Sequence, residues 1–167
     1  MKISVIIPTL NEESHIEKTL QSVTKQDGDY EFSVVDGGST DKTVTIAKRY
    51  TTVINSQRGR AIQMNTGAKA CSGDILLFLH ADTILPDNAF CEIRKRMKDD
   101  TLAGGSFYIA FDADTFILRG VSFITRFNFR LFHFGDQGIF VRRSIFQKLN
   151  GYKEMPIMED YDFYKRL

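Results

Sequence analysis

Three carboxylates have a spacing that suits the binding of a nucleotide and a metal ion. Glu12, Asp36 and Asp82 each lie just beyond the end of a short apolar run. Carboxylates gathered at one edge repel each other unless they accept hydrogen bonds or hold a cation. A nucleoside supplies hydrogen-bond donors, and a divalent metal ion supplies positive charge. The pattern therefore favours a ligand site. Taken singly, Glu12 is also typical of a charge near a helix start and Asp36 of a turn residue.

An alternation of predicted strands and helices positions these carboxylates. Short apolar runs predict buried strands, and apolar residues at helical spacing between them predict helices. This alternation indicates an α/β fold with a mainly parallel central sheet. Ligands of such sheets bind outside the carboxyl ends of the strands, which is where the three carboxylates fall. The predicted strands occupy residues 3–7, 32–35, 51–55, 75–79, 106–111 and 138–141.

Polar residues after the first two strands predict where the next helices begin. Asn11 is predicted to cap the first helix, with Glu12 and Glu13 in its first turn, because acidic side chains are favourable there. Ser39 or Thr40 is predicted to cap the second helix.

Length and composition set broad bounds on the class of protein. A chain of 167 residues predicts one domain. The formal net charge of +1 gives no general attraction to nucleic acid, so we expect no nucleic-acid partner. No apolar run is long enough to span a bilayer, and Met1 leads into a strand-like run rather than a signal peptide. We therefore expect a cytoplasmic protein.

Four segments, in order along the chain, carry a family resemblance. They are SVIIPTLNEE, VVDGGSTDKT, GRAIQMNTGAKACSGDILLFLHADT and MED. Together they resemble the inverting family 2 glycosyltransferases with the GT-A fold, over nearly the whole chain. The runs LFLHADT, GGSF and GDQGIFVRR are similar to a bacterial subgroup linked to arsenosugar biosynthesis. The resemblance implies a Rossmann-like three-layer α/β/α sandwich.

The same resemblance implies an activity and a donor site. The expected reaction moves a sugar from a nucleoside diphosphate sugar, with a UDP-sugar favoured, to an unidentified acceptor hydroxyl. A divalent metal ion, Mn²⁺ or Mg²⁺, is the expected cofactor. Glu12 would lie near the ribose, Asp36 would accept a hydrogen bond from the base, and Arg60 would lie near the base or the diphosphate. The implied donor-binding residues are Pro8, Thr9, Glu12, Asp36, Gly38, Arg60 and His80.

The metal-binding motif departs from the commoner family pattern. Asp82 matches the last carboxylate of the Asp-x-Asp motif and would bind the metal ion, whereas His80 stands in place of the first Asp. An imidazole can bind a ribose hydroxyl or a phosphate, or ligate a metal such as Mn²⁺. A strand-end histidine bonded only to backbone is an equally open interpretation.

Two carboxylates near the chain end are the candidates for the chemical step. Asp160, preceded by Glu159, matches the family's terminal Glu-Asp pair, which makes Asp160 the expected general base. The alternative is that both residues only favour the start of the last helix. That helix shows no stop signal before Leu167, which predicts a truncated C-terminus.

The second part of the chain is expected to face the acceptor. Residues 1–100 would form the nucleotide-sugar-binding half and residues 101–167 the acceptor-side half of one GT-A domain. A basic, phenylalanine-rich segment at 116–134 predicts ordinary core packing first, and alternatively an acceptor flap or peripheral contact with the inner face of a membrane. Gly104-Gly105 could instead mark a bulge, and Asp136 and Gln137 could simply close a turn. The residues assigned to the acceptor or sugar side are Gly105, Asp136, Gln137 and Glu159.

Rival functions make different demands on the sequence. A dinucleotide-dependent dehydrogenase requires GxGxxG after the first strand, where this chain has PTLNE. A sugar-phosphate nucleotidyltransferase requires a basic, glycine-rich loop there, which is also missing. A nucleotide-sugar-binding protein without catalysis stays open because His80 replaces a motif carboxylate. The oligomeric state is not predicted.

Overall fold

The computed structural model describes residues 1–107, 138–155 and 157–167. The predicted residues Asp136 and Gln137, and the segment 116–134, therefore lie outside the described residues. So does most of the strand predicted at 106–111.

A six-stranded sheet forms the centre of the described structure. Its strand order is β3-β2-β1-β4-β6-β5. Strands β1 to β4 are mutually parallel, whereas β6 runs antiparallel to both β4 and β5. The prediction of a mainly parallel sheet is thus confirmed. The strands are β1 (Ile3–Thr9), β2 (Tyr30–Asp36), β3 (Thr52–Asn55), β4 (Ile75–Phe78), β5 (Gly104–Ser106) and β6 (Ile139–Arg142).

Helices cover both faces of the sheet. The described helices are α1 (Ile16–Thr24), α2 (Thr43–Ala47), α3 (Arg60–Ala70), α4 (Ala89–Arg96), α5 (Arg143–Lys148) and α6 (Glu159–Arg166). Among the described residues, every helix is too short or too polar to cross a bilayer.

Side chains that alternate along the strands divide the core into two layers. Val5 and Ile7 of β1 pack with residues of α1, α2 and α4, whereas Ile6 packs with residues of α3, α5 and α6. Strand β4 is buried along its whole length, as expected for a central strand covered on both faces. Each fully buried side chain such as Phe78 contributes about 1.5 to 3 kcal/mol by leaving water. The result is the predicted three-layer sandwich.

Candidate active site

A cleft of about 280 Å³ opens beyond the carboxyl ends of β1 and β4. Its position is the one that parallel sheets of this type offer to ligands. All the predicted donor and metal residues line it except Asp36 and Gly38. The lining residues are Pro8, Thr9, Leu10, Glu12, Arg58, Gly59, Arg60, Gln63, His80, Ala81 and Asp82.

The floor of the cleft is held by Gln63, which the sequence analysis missed. Its buried amide donates hydrogen bonds of 2.8 Å to the carbonyl oxygens of both Thr9 and Val35, and so joins the ends of β1 and β2. Gly37 also donates its N–H to the Thr9 oxygen at 3.0 Å. A Cβ on Gly37 would come within 3.0 Å of the Gln63 amide, so a side chain there would push Gln63 away. A signal existed in the sequence, because Gln63 lies one helical turn before Gly67 on the inner face of α3.

Asp36 is buried at the end of β2, beside Thr9 in the strand register. Its carboxylate accepts N–H bonds from Gly38 at 2.9 Å and from Ser39 at 3.1 Å. Gly38 has φ of 96°, a conformation that favours glycine. Asp36 therefore stabilises the turn that follows β2, as the alternative interpretation predicted. A carboxylate has about four acceptor positions, so these bonds leave capacity for a base. Nucleotide binding by Asp36 and Gly38 stays a prediction.

The loops that follow β1 and β2 are hydrogen-bonded to each other. The bonds run in both directions, so neither loop is built independently of the other. They join Asn11 N to Ser39 Oγ, Thr40 N to Asn11 Oδ1, Glu12 N to Thr43 Oγ1, Glu13 N to Asp41 Oδ2 and Lys42 N to Glu13 Oε2, at 2.7 to 3.1 Å.

This cross-linking overturns the predicted helix caps. Asn11 does not cap α1, which begins at Ile16; instead Asn11 adopts φ of 57° and its side chain bonds across to the second loop. Neither Ser39 nor Thr40 caps α2, which begins at Thr43 without a side-chain cap. The physical reason is competition, because short polar side chains bond equally well to a neighbouring loop as to a helix terminus.

Glu12 lies between the cross-linked loops and the cleft. Its carboxylate is 3.3 Å from the His15 imidazole and its side chain is 33% exposed. Because α1 begins four residues later, Glu12 does not sit in the first helical turn. A carboxylate on the cleft wall is available to accept hydrogen bonds from a ligand.

Four predicted site residues meet at one edge of the cleft. Arg60 Nη1 lies 3.3 Å from Glu159 Oε1 and 3.5 Å from Asp160 Oδ2. His80 Nε2 lies 3.8 Å from the same Asp160 oxygen. The two carboxylates are 4% and 7% exposed, whereas Arg60 is 47% exposed. Residues that are up to 100 positions apart in the sequence thus form one compact charged cluster.

The alternative interpretations of these residues are partly correct as well. Glu159 and Asp160 do occupy the first turn of α6, where negative charge is favourable. Arg60 is the first residue of α3, where a cation is unfavourable unless an anion is near. The two carboxylates supply that anion. A favourable position at a helix start and a catalytic role are therefore compatible. The sequence alone did not predict that these four residues are in contact.

Asp82 is exposed on the cleft wall, with the Thr83 hydroxyl 3.4 Å from its Oδ1. Within the described ranges, no group of three or more His, Cys, Asp or Glu side chains is arranged to hold a metal ion. Mg²⁺ commonly binds through only one or two carboxylates and takes its other ligands from substrate phosphates and water. The donor set here fits a metal ion that binds together with a diphosphate.

Gly105 is half-buried at one edge of the described sheet. It lies in β5, and a Cβ added to it would come within 2.8 Å of the Phe140 ring. The absence of a side chain is thus explained by packing against β6. A role for Gly105 on the sugar side stays a prediction.

Comparison with known proteins identifies the family. The model of glycosyl transferase family 2 matches residues 4–149. The chain belongs to glycosyl transferase family 2. The match confirms the predicted family and the predicted class of enzyme, a glycosyltransferase. The narrower resemblance to an arsenosugar subgroup stays a prediction.

This family 2 chain is similar to curated relatives from bacteria and archaea. It is 31% identical to a PGL/p-HBAD biosynthesis glycosyltransferase of Mycobacterium tuberculosis, over 96% of the chain and 67% of the relative. It is 41% identical to glycosyltransferase AglE of Haloferax volcanii, over 48% of the chain and 30% of that relative.

Solved structures confirm the GT-A fold of this family 2 chain. The mannosyltransferase PcManGT from Pyrobaculum calidifontis, in complex with GDP-Man and Mn²⁺, matches with a TM-score of 0.73 and 25% identity, over 90% of this chain and 47% of that one. S. aureus TarS 1–349 in complex with UDP-GlcNAc matches with a TM-score of 0.75 and 22% identity, over 99% and 53%. The chain therefore spans about half the length of these structures.

Proposed function

We propose that this chain forms the donor-binding and catalytic part of an inverting glycosyltransferase. The reaction would move a sugar from a nucleoside diphosphate sugar to an acceptor hydroxyl. The observation that carries the proposal is the almost completely buried Asp160 carboxylate, 3.5 Å from Arg60 and 3.8 Å from His80 at the edge of the cleft. In this proposal residues 1–100 supply the donor site and residues 101–167 the acceptor side.

Donor binding is assigned to the cleft walls. Glu12 on the cleft wall would accept hydrogen bonds from the ribose. Asp36, which is paired with the cleft residue Thr9 on the neighbouring strand, would accept one from the base. Arg58 and Arg60 line the same cleft, and both are exposed enough to reach the anionic diphosphate. A guanidinium suits this task because its fork of donors matches phosphate geometry. His80 would donate to a phosphate or a ribose hydroxyl.

Asp82 is the side chain proposed to hold a divalent metal ion, Mn²⁺ or Mg²⁺. Such an ion, when bound, would stabilise negative charge on the departing diphosphate. The similar structure of PcManGT, in complex with GDP-Man and Mn²⁺, supports a divalent metal ion as the cofactor. Because His80 replaces the companion carboxylate, this site offers less negative charge than two carboxylates would.

Asp160 is the proposed general base. It would take the proton from the acceptor hydroxyl while the acceptor oxygen attacks the anomeric carbon. The bond from that carbon to the diphosphate oxygen breaks on the opposite face, and its electron pair leaves with the diphosphate, so the configuration inverts. Its contacts with Arg60 and His80 hold the carboxylate at the edge of the cleft, where an acceptor hydroxyl could reach it.

The proposal is tested by separating binding from turnover. Thermal unfolding is measured with UDP, UDP-GlcNAc and GDP-mannose, each with and without Mn²⁺, because a ligand of the native state raises its stability. A UDP-sugar is the favoured donor. Release of nucleoside diphosphate is then measured for the wild type and Asp160→Asn.

We expect Asp160→Asn to keep the ligand-induced stabilisation and to lose turnover. Asp87→Asn is the matched control, since Asp87 is exposed and does not line the cleft. A wild type that binds a donor but shows no metal-dependent turnover with any acceptor would support a nucleotide-sugar-binding protein instead. If the wild type binds none of the three ligands, both the glycosyltransferase and the nucleotide-sugar-binding protein are rejected.

A further inference from the structure

Tyr152 is a buried tyrosine whose backbone is hydrogen-bonded to Asn65 and whose ring packs against other aromatic rings. Its backbone N–H donates to Asn65 Oδ1 at 2.9 Å, and its carbonyl accepts from Asn65 Nδ2 at 2.8 Å. Its ring centroid lies 4.5 Å from that of Phe163 and 5.0 Å from that of Phe78. The side chain is packed like a core phenylalanine and is only 2% exposed.

The Tyr152 hydroxyl is buried without a hydrogen bond to any described residue. Burying a hydroxyl without a partner costs free energy that phenylalanine would avoid. One other atom in this region is in the same situation. Glu159 Oε1 is also buried and makes no hydrogen bond within the described part of the chain, although Arg60 lies 3.3 Å away as its counter-ion. The described structure therefore leaves a donor, on Tyr152, and an acceptor, on Glu159, without a hydrogen bond.

Phe163 connects these two residues within the fold. Phe163, against which the Tyr152 ring packs, lies one turn after Glu159 on the buried face of α6. Burial, and then the charges of Asp160 and Glu159, raise the pKa of Tyr152 well above its ordinary value, against the opposite effects of Arg166 and Arg60. The hydroxyl therefore keeps its proton and is available to donate a hydrogen bond.

Arg60 has two sets of anions to satisfy. It pairs with Glu159 and Asp160, yet it is half-exposed and lines the cleft. A diphosphate in the cleft would attract the guanidinium. Glu159, which is 4% exposed, would then lose its cation, and a buried carboxylate without a partner is strongly unfavourable.

We propose that the Tyr152 hydroxyl replaces Arg60 as the partner of Glu159 when a nucleoside diphosphate binds. Tyr152 is thus a positioning residue, which releases Arg60 for the ligand and keeps the Glu159–Asp160 turn in place. The inference rests on the proposed donor site, because it requires a diphosphate in the cleft.

The test is a double-mutant cycle on ligand affinity, which needs no turnover. UDP and GDP, each with Mn²⁺, are titrated calorimetrically into the wild type, Tyr152→Phe, Glu159→Gln and the double variant. We expect Tyr152→Phe to weaken binding by about 10-fold and to leave the melting temperature unchanged or higher. In the Glu159→Gln background the same substitution is expected to have no effect, because a neutral amide needs no replacement partner.

Tyr50→Phe is the matched control. It removes a hydroxyl that donates to Glu17 at 3.1 Å, outside the cleft lining, and should leave affinity unchanged. If Glu159→Gln does not fold, Glu159→Met supplies the background of similar volume.

Each outcome resolves the inference. The inference is overturned if Tyr152→Phe binds the nucleotide as tightly as the wild type. It is also overturned if Tyr152→Phe weakens nucleotide affinity equally in the wild-type and Glu159→Gln backgrounds. A lower melting temperature accompanied by weaker binding in both backgrounds, which indicates a packing role, overturns it as well. If neither nucleotide binds the wild type, the donor site itself is wrong and the inference falls with it. Binding to the wild type without coupling leaves the donor site standing and rejects only the role of Tyr152.

Discussion

Carboxylates at the two ends of the sheet are treated in opposite ways. At the amino end, Glu31 is paired with Lys2 Nζ at 2.8 Å and also accepts bonds from Ser4 Oγ at 2.7 Å, Ser72 N at 2.6 Å and Gly73 N at 3.1 Å. At the carboxyl end, Glu159 is more deeply buried, and among the described residues its one cationic partner within 4 Å is the half-exposed Arg60. Its Oε1 atom makes no hydrogen bond to a described residue.

The difference separates a structural carboxylate from an available one. Burial alone would raise the pKa of Glu31, but hydrogen bonds from Lys2, Ser72 and Ser4 lower it to about 2. Such a group is fixed as an anion and has no acceptor capacity left for a ligand. The carboxylates around the cleft keep a movable partner or unused capacity. Substituting Glu31 at the amino end of the sheet should therefore affect stability. Substituting a carboxylate of the cleft at the carboxyl end should affect turnover.

The largest expected effect comes from Asp160→Asn. We predict that the rate of nucleoside diphosphate release falls by about 10² to 10⁴-fold, the usual contribution of a positioned base. The free energy of unfolding should change little, because Glu159 remains as a partner of Arg60 and asparagine has nearly the same shape as aspartate. Steady-state kinetics and urea unfolding of the same samples test the comparison. If Asp160→Asn is destabilised but has normal turnover, Asp160 is a structural carboxylate like Glu31, and its assignment as the base is wrong.

Asp82→Asn is expected to reduce turnover by about 100-fold, because the proposed site loses its acidic ligand for the metal ion. Rates are measured across a series of Mn²⁺ concentrations. The dependence on Mn²⁺ should weaken in Asp82→Asn and persist in the exposed control Asp87→Asn. An identical Mn²⁺ dependence in wild type and Asp82→Asn would reject the assignment.

Glu31→Gln should show the opposite behaviour. We expect a loss of about 1 to 2 kcal/mol of unfolding free energy, less than the full pKa shift implies, because the side chain is 33% exposed and solvent screens it. Turnover of the folded protein should not change.

The pH dependence gives this prediction its sign. The folded pKa of Glu31 is about 2, below the ordinary value of 4.5. Its contribution is therefore complete above pH 4.5 and is lost as the pH falls from 4.5 towards 2. The difference in stability between wild type and Glu31→Gln should shrink over that range. Urea unfolding at several pH values measures it, and a constant difference would contradict the prediction.

The smallest expected effect concerns Asn11. Asn11→Gly removes the bond from Thr40 N but tolerates φ of 57°, so we expect a loss of about 0.5 kcal/mol. Asn11→Ala adds backbone strain and should cost about 1 kcal/mol. Both losses are read from thermal unfolding. Equal losses would show that the conformation of Asn11 carries no strain.

The sequence predicted the alternation of strands and helices better than it predicted the contacts between the loops. Period and composition locate β1, β2 and β4, and parallel topology then places Glu12 and Asp82 at the same edge. The caps failed because Asn11 bonds across to a loop 29 residues away, which local pattern cannot reveal. Tyr152 gave no signal either, since an aromatic residue after a glycine is typical of core packing.

The hydrogen bonds between the loops after β1 and β2 have a practical consequence for engineering. Backbone groups of one loop are satisfied by side chains of the other, in both directions. Grafting one of these loops from another family member would leave amides in its neighbour without acceptors, among them the half-buried N–H of Glu12. Attempts to alter nucleotide preference should therefore exchange residues 10–15 and 37–43 as a matched pair. Pairs of substitutions, one in each loop, should deviate from additivity.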